Sequence, residues 1–220
     1  MTTSSLFLRI ERRIGMDILY SDKDIIACIK PVGMDAEHEV PEALKAEFGG
    51  EIFTVHRLDL NVGGVMVYAR NKQSAAALSK AVQDGTMVKE YIAMVHGEVP
   101  EEGDWEDLLW KDGKKNKVFV VNRMRGGVKK ARLEYKRLLV QEWEAESTSL
   151  VRIRLHTGRS HQIRVQFASR KYPLVGDHKY GSRDKAEAPM LFSCKITVPF
   201  KGKVHEFEAY PVWANILFAR

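Results

Sequence analysis

The chain has 220 residues, 45% hydrophobic and 29% charged, with a formal net charge of +6 and a sequence pI of about 9.2. That length suits one large domain with a real core, and the positive balance favours a polyanionic partner over a neutral one. No run approaches the roughly 20 apolar residues of a membrane span, Leu6-Phe7-Leu8 precedes its basic neighbours rather than following them as a secretory leader requires, and Cys28 and Cys194 read as reduced core thiols of a cytoplasmic protein.

Ile18-Leu19-Tyr20 and Ile25 to Ile29, split by Ser21 to Asp24, predict two strands and a turn. Lys30-Pro31-Val32-Gly33 breaks that pattern. Ile52 to Val55 and Val65 to Ala69 are strand-like and leave His56 to Gly64 as a loop. Asn71 is placed to cap a helix running to about Asp84, with Ala75, Leu78, Ala81 and Val82 on one stripe and Gly85 ending it. Met87 to Val95, Val118 to Val121, Arg132 to Val140 and Leu150 to Leu155 predict further strands. In the last, Val151, Ile153 and Leu155 alternate with Arg152, Arg154 and His156, giving one buried and one basic face. Ser160 is placed to cap a second helix carrying Ile163 and Phe167, and Met190 to Val198 and Val204 to Ala209 complete the strands. Strands dominate without alternating regularly with helices. The expected class is α+β: one domain over 18–220, behind an extension of residues 1–17, with a mixed, mainly antiparallel sheet flanked by a few helices.

Charge is unevenly spread. Lys114, Lys115, Lys117, Arg123, Arg125, Lys129, Lys130, Arg132, Lys136 and Arg137 face Glu134 alone, whereas Glu98 to Asp107 is acidic without a base. This suggests one phosphate-attracting face and another left free.

Four segments concentrate reactive groups. In His56-Arg57-Leu58-Asp59, followed by Gly63-Gly64, a loop carboxylate is held between strands. The same residues fit a turn with a solvated ion pair equally well. A working carboxylate in a partly buried site needs a cation, from Arg57 or a distant arginine. Thr157-Gly158-Arg159-Ser160-His161-Gln162-Ile163-Arg164 puts donors at a helix start, where anions are favoured. His156 and His161, five apart with no cysteine or acid cluster, do not have metal-ligand spacing, so no metal is expected. Tyr91, in a strand, reads as a core aromatic or as a platform for a flipped base. Gly176-Asp177-His178-Lys179-Tyr180-Gly181 is a turn-rich loop following the second helix.

Taken in order, the lysine-proline-x-glycine of 30 to 33, HRLD at 56 to 59, KEY at 89 to 91, TGRSHQIR at 157 to 164 and GDHKYG at 176 to 181 resemble the RluA-like family of RNA pseudouridine synthases from about Ile18 to Pro211. The resemblance implies a catalytic domain that isomerises uridine to pseudouridine in structured ribosomal or transfer RNA, without cofactor or metal. Carried over residue by residue, it makes Asp59 the catalytic carboxylate, Tyr91 the ring under the uracil and Arg164 the partner that keeps Asp59 ionised. Arg57 would fill the stack as the uridine leaves it, and His56, Arg159, His161 and Lys30 would join it in holding the nucleotide. Lys114, Lys115, Lys117, Arg123, Arg125, Lys129 and Lys130 would grip RNA phosphates.

About 17 residues precede this region, too few for the S4-type RNA-binding domain that relatives often carry, so target selection is expected from the domain's own loops. The default expectation is a monomer. The run Asn61-Val62-Gly63-Gly64 departs from the acidic residue, threonine, serine and glycine usual after HRLD. That departure sets up an alternative: an RNA-binding or RNA-chaperone protein on the same fold, with catalysis impaired.

Overall fold

The computed structural model describes residues 11–13 and 15–217. The first strands are β1 (Glu11–Arg13), β2 (Met16–Ser21) and β3 (Ile25–Lys30), followed by helix α1 (Glu39–Phe48), β4 (Phe53–Thr54), β5 (Gly63–Ala69) and helix α2 (Lys72–Gln83). Then come β6 (Val88–His96), β7 (Glu102–Asp112), β8 (Lys117–Val121), β9 (Val128–Trp143) and β10 (Glu146–Leu155). Helix α3 (Gln162–Ser169), a 3-10 turn (His178–Tyr180), β11 (Leu191–Phe200), β12 (Lys203–Glu208) and a second 3-10 turn (Val212–Leu217) finish the described chain.

All twelve strands join one sheet, in the order β1-β2-β3-β5-β11-β6-β10-β9-β7-β8, with β12 beside β11 and β4 beside β5. Among the described residues only β5 and β11 run parallel. The expected mixed, mainly antiparallel α+β sheet is therefore what forms. Of the expected 1–17 extension, residues 1–10 and 14 lie outside the described residues, while Glu11–Arg13 pairs with β2, which starts at Met16.

The strand pattern explains the layering. All seven residues of β5 are buried, as a central strand covered on both faces requires. Its Met66 and Tyr68 join Tyr91, Val151, Ile153, Ile163 and Phe167 under α1 and α3. Val65, Val67 and Ala69 point the other way, onto Leu78 and Ala81 of α2. Period two in the strand sorts these residues into two cores.

Helix α2 is capped as expected: the Asn71 side chain accepts the Ser74 amide at 2.8 Å. Gly85, just beyond, takes φ +71. Helix α3 differs from expectation. Its N-cap is His161, in the left-handed region, and Ser160 makes no cap. The Gln162 side chain accepts the Arg159 amide at 3.0 Å, so the first helical residue fastens the loop before the helix without capping it.

Among the helices and strands, three escaped the sequence reading: the short β1, α1 and β7. Helix α1 buries only Val40 and Leu44, four apart, and carries Pro41 in its first turn, where the missing amide costs nothing. Strand β7 is the acidic run itself, and it lies antiparallel to β9, with Glu106 opposite Arg132. Arg132 forks onto Asp104 at 2.9 and 2.7 Å, and Lys130 lies 3.5 Å from Glu106. The acidic and basic runs are thus neighbours, and the expectation that they lie on separate faces, one attracting phosphate and the other left free, is corrected. Antiparallel pairing folds one run onto the other. Cys28 and Cys194 are free and buried, and no described helix is long and apolar enough to cross a membrane.

Candidate active site

The loop between β4 and β5, the start of β6 and the segment from Arg154 to Arg164 enclose a cleft of about 650 Å3. A neighbouring hollow of about 570 Å3 shares Arg57, Asp59, His161 and Arg164 with it. Asp59 therefore stands where the two meet. Its turn closes through the Val62 amide on the Asp59 carbonyl at 3.0 Å and is tied down by the Gly33 amide on the Leu60 carbonyl at 2.8 Å. Gly64 takes φ +129, and a Cβ there would lie 2.7 Å from the Ser193 Cβ. Glycine at this point lets β5 and β11 approach closely enough to pair.

Asp59 meets Arg164 across 105 residues of sequence: Arg164 Nη1 lies 3.4 Å from Asp59 Oδ2. The Asp59 side chain is 23% exposed and the Arg164 side chain 6%. Arg164 is held from behind by Asp177, whose two oxygens accept its Nε and Nη2 at 2.7 Å each. Burial works against the guanidinium charge, but the Asp177 hydrogen bonds and charge outweigh it and leave its pKa raised. Asp177 is itself buried. It is the supporting residue that sequence reasoning passed over, noted there only as part of a turn-rich loop.

His161 also faces Asp59, with Nε2 3.9 Å from Oδ2, and its Nδ1 is 2.8 Å from the Tyr180 hydroxyl. Burial lowers its pKa, and Arg164 and Lys179 add to that against the pull of Asp59. Tyr91 is buried on β6 and lines the cleft. Burial, then the charge of Asp59, raises its phenol pKa, so the ring is neutral.

The remaining expected site residues divide. Arg57 lines the cleft but pairs with Glu37 at 2.8 Å, both about half exposed; the local Arg57–Asp59 ion pair does not form. Arg159 lines the cleft and donates its Nε to the Lys130 carbonyl at 2.9 Å. His56 lines it too, yet its Nε2 accepts the Val67 amide at 3.1 Å and burial brings its pKa down to about 3. It acts as a neutral strut between the HRLD loop and β5. Lys30 is a correction. It is fully buried, and its ammonium donates to the carbonyls of Pro31, Met34 and Leu60 at 2.8, 2.8 and 3.3 Å. With three donors committed, none is left for a nucleotide. Lys30 instead fastens the KPVG segment to the Asp59 loop.

Lys114 and Lys115 sit exposed in the β7–β8 turn, and Arg123 and Arg125 in the β8–β9 connection. Arg125 lies over the Trp110 ring at 5.3 Å and Lys117 over the Tyr180 ring at 5.3 Å. Lys129 and Lys130 are exposed on β9. This arm borders the neighbouring hollow through Lys111 and Asn116, and Val118 donates its amide to the Tyr180 hydroxyl at 2.9 Å. Lys89, absent from the sequence-based set, lines the cleft two residues before Tyr91 on the same strand face. Its ammonium lies against Gly158, 3.3 Å from where a Cβ would stand, and burial lowers its pKa. The signal was available: period two puts Lys89 and Tyr91 on one side.

Residues 24–169 match the family model described as RNA pseudouridylate synthase. The chain is 30% identical over 189 residues to Ribosomal large subunit pseudouridine synthase D of Yersinia pestis, covering 79% of this chain and 55% of that protein. It is 34% identical over 190 residues to Dual-specificity RNA pseudouridine synthase RluA of Vibrio parahaemolyticus, covering 76% and 70%. With tRNA pseudouridine synthase C of Pasteurella multocida it shares 30% over 186 residues, covering 76% and 74%. The chain thus spans between about half and three quarters of the length of these three relatives. Among solved structures, Human RNA Pseudouridylate Synthase Domain Containing 1 has the same fold, with a TM-score of 0.82 at 20% identity over 94% of this chain and 88% of that one.

Proposed function

The chain belongs to the RNA pseudouridylate synthase family, and on that premise we propose that it isomerises uridine to pseudouridine in structured RNA, with Asp59 as the catalytic carboxylate. One observation carries the reading. Among the described residues, Asp59 is the sole carboxylate lining a cleft that also presents Arg57, Lys89, Arg154, Arg159 and Arg164, and one of those arginines addresses it at 3.4 Å. Whether the carboxylate attacks or abstracts a proton, it must be ionised and partly shielded, and a buried cation beside it meets both needs. Five cations around one anion attract a phosphate backbone.

Each remaining residue takes a part. The neutral, buried Tyr91 ring floors the cleft and gives the uracil a face to stack on. Arg57 fills the gap left by the flipped nucleotide. Its present partner, Glu37, holds it by an exposed pair worth about 0–1 kcal/mol, so release is cheap. Lys114, Lys115, Lys117, Arg123, Arg125, Lys129 and Lys130 bind phosphates beside the cleft. Relatives named for ribosomal and for transfer RNA support either as the substrate. The same reading makes the protein cytoplasmic, monomeric and independent of cofactors and metals.

The rival reading, an RNA-binding protein with impaired catalysis, rested on Asn61 to Gly64. Asn61 is exposed and Val62 buried, while Gly63 and Gly64 pack against Lys30 and Ser193. The groups that face the Asp59 carboxylate come from 161 and 164, which favours the enzyme. The test is Asp59→Asn. The variant is expected to keep its circular dichroism and RNA binding while forming no pseudouridine in ribosomal and transfer RNA transcripts. Near-normal product from it would sink the mechanism. Mapping pseudouridine in total RNA from cells with and without the gene names the target, and an unchanged map would favour the rival.

A further inference from the structure

His161 has three features that α3 alone does not explain. Its backbone adopts φ 52 and ψ 22, a left-handed conformation that is strained for a non-glycine residue. Its ring is nearly buried, with 9% of the side chain exposed. And its two ring nitrogens face different partners, Nδ1 the Tyr180 hydroxyl at 2.8 Å and Nε2 the Asp59 carboxylate at 3.9 Å. Strain held at a buried residue facing a reactive group points to a use for it.

The tautomer follows from counting protons. The Tyr180 oxygen already accepts the Val118 amide at 2.9 Å. Burial pushes the Tyr180 pKa up to about 12, so the hydroxyl keeps its proton. Among the described residues, the acceptor within reach of that proton is His161 Nδ1. If Nδ1 carried a hydrogen instead, the Tyr180 proton would have no acceptor among the described residues. The neutral ring therefore carries its hydrogen on Nε2, the nitrogen that faces Asp59.

That hydrogen and the Arg164 Nη1 address the same oxygen, Oδ2. Oδ1 of Asp59 has no such partner among the described residues. We propose that His161 is a positioning residue: fixed by Tyr180 in its Nε2–H tautomer, it joins Arg164 in anchoring Asp59 Oδ2, leaving Oδ1 as the oxygen that meets the substrate. This rests on the enzymatic reading given above. The 3.9 Å gap is longer than a hydrogen bond, and closing it on substrate binding is the tightening that catalytic contacts undergo between free and bound enzyme. The charged and titratable groups around the ring are Asp59 from the HRLD loop, Arg164 from α3, Asp177, Lys179 and Tyr180 from the following loop, and Lys117 of β8 over the Tyr180 ring.

The first test needs no RNA. Long-range proton–nitrogen NMR on the wild-type protein with labelled histidine is expected to show His161 neutral at pH 7.5 with its hydrogen on Nε2. A hydrogen on Nδ1, or on both nitrogens, overturns the proposal. The second test uses two variants. Asn tolerates the left-handed backbone but puts its amide near the Nδ1 position, whereas Gln carries an NH2 out to the Nε2 position. His161→Asn is expected to lower kcat about 10- to 100-fold, the size of losing one hydrogen bond to a charged group, with KM for RNA changed less than about twofold. His161→Gln is expected to recover most of that loss. Equal loss in both variants, or a KM effect with kcat intact, overturns the proposal. A wild-type protein that makes no pseudouridine sinks the enzymatic reading instead, and the NMR spectrum still tests the tautomer.

Discussion

Arg164 can serve Asp59 only if its charge is tolerated in a buried position, and Asp177 makes it so. Replacing Asp177, whose side chain is fully buried, with Ala removes two hydrogen bonds of 2.7 Å and strands a guanidinium whose own side chain is 6% exposed. Breaking a buried pair from one side costs roughly 3–5 kcal/mol, or about 6–20 °C in Tm for a chain of this size. The remaining partner, Asp59 at 3.4 Å, offsets part of that by drawing the arginine forward, out of its present geometry. Asp177→Ala is therefore expected to lose stability in urea unfolding and kcat in the pseudouridine assay together. The double variant Asp177→Leu with Arg164→Met separates the two effects. With no stranded charge it should regain most of the stability and none of the activity. Two results would show that the pair does not support the site. One is Asp177→Ala lying within about 0.5 kcal/mol of wild type, as an ordinary surface substitution does. The other is a double variant no more stable than the single one.

Three further outcomes are expected. Lys89→Met should weaken RNA binding and reduce the slope of log affinity against log salt by roughly 0.7–0.9, one phosphate contact; an unchanged slope in filter-binding titrations would place Lys89 off the backbone. Gly64→Ala should cost several kcal/mol, since its Cβ meets the Ser193 backbone at φ +129, whereas the Cβ of Gly63→Ser meets the Lys30 carbonyl at 3.2 Å, so that carbonyl must give by a few tenths of an ångström at a smaller cost of roughly 1–3 kcal/mol; thermal melts that rank them the other way would contradict the close approach of β5 and β11. Burial pushes both Cys28 and Cys194 up to about 12 from 9.0. A raised folded pKa gives stability that is complete below the unfolded value and is lost as pH rises between about 9 and 12. Both thiols should resist Ellman's reagent at pH 8 until denaturant is added, and Cys28→Ala should flatten the alkaline loss; prompt reaction of the native protein would refute the burial.

The strands and the residues that carry the chemistry were legible because they obey local rules. Asn71 caps α2 by its own side chain, and β5 and β10 show the apolar runs and alternation that pack cores. Asp59, Tyr91 and Arg164 stood out through motifs, and the fold brings them to one cleft. What escaped depends on pairing between distant segments. Helix α1 buries too few residues to announce a period. The acidic strand β7 has no apolar alternation until its partner β9 is known. Lys30 looked like a free cation and is instead the clamp on three carbonyls, a role no sequence window reveals.

The departure at Asn61 to Gly64 shows why the support of a site is harder to read than the site. Hydroxyls missing beside a carboxylate look like lost ligands when only neighbours in sequence are considered. In the fold, Val62 lines the cleft and Asn61 the neighbouring hollow, but the groups that address the Asp59 carboxylate come from His161 and Arg164. Gly64 lies against the Ser193 backbone and Gly63 against the Lys30 carbonyl, so this stretch sets strand spacing. The ligands of Asp59 arrive about a hundred residues later, on a helix start whose own geometry depends on Tyr180 and Asp177 from the loop after it. Three segments must close on one another before the carboxylate has a cation, a donor and a free oxygen. The departure at Asn61 to Gly63 can then be absorbed, while a change at Asp177, whose side chain is fully buried behind Arg164, is expected to remove both stability and turnover.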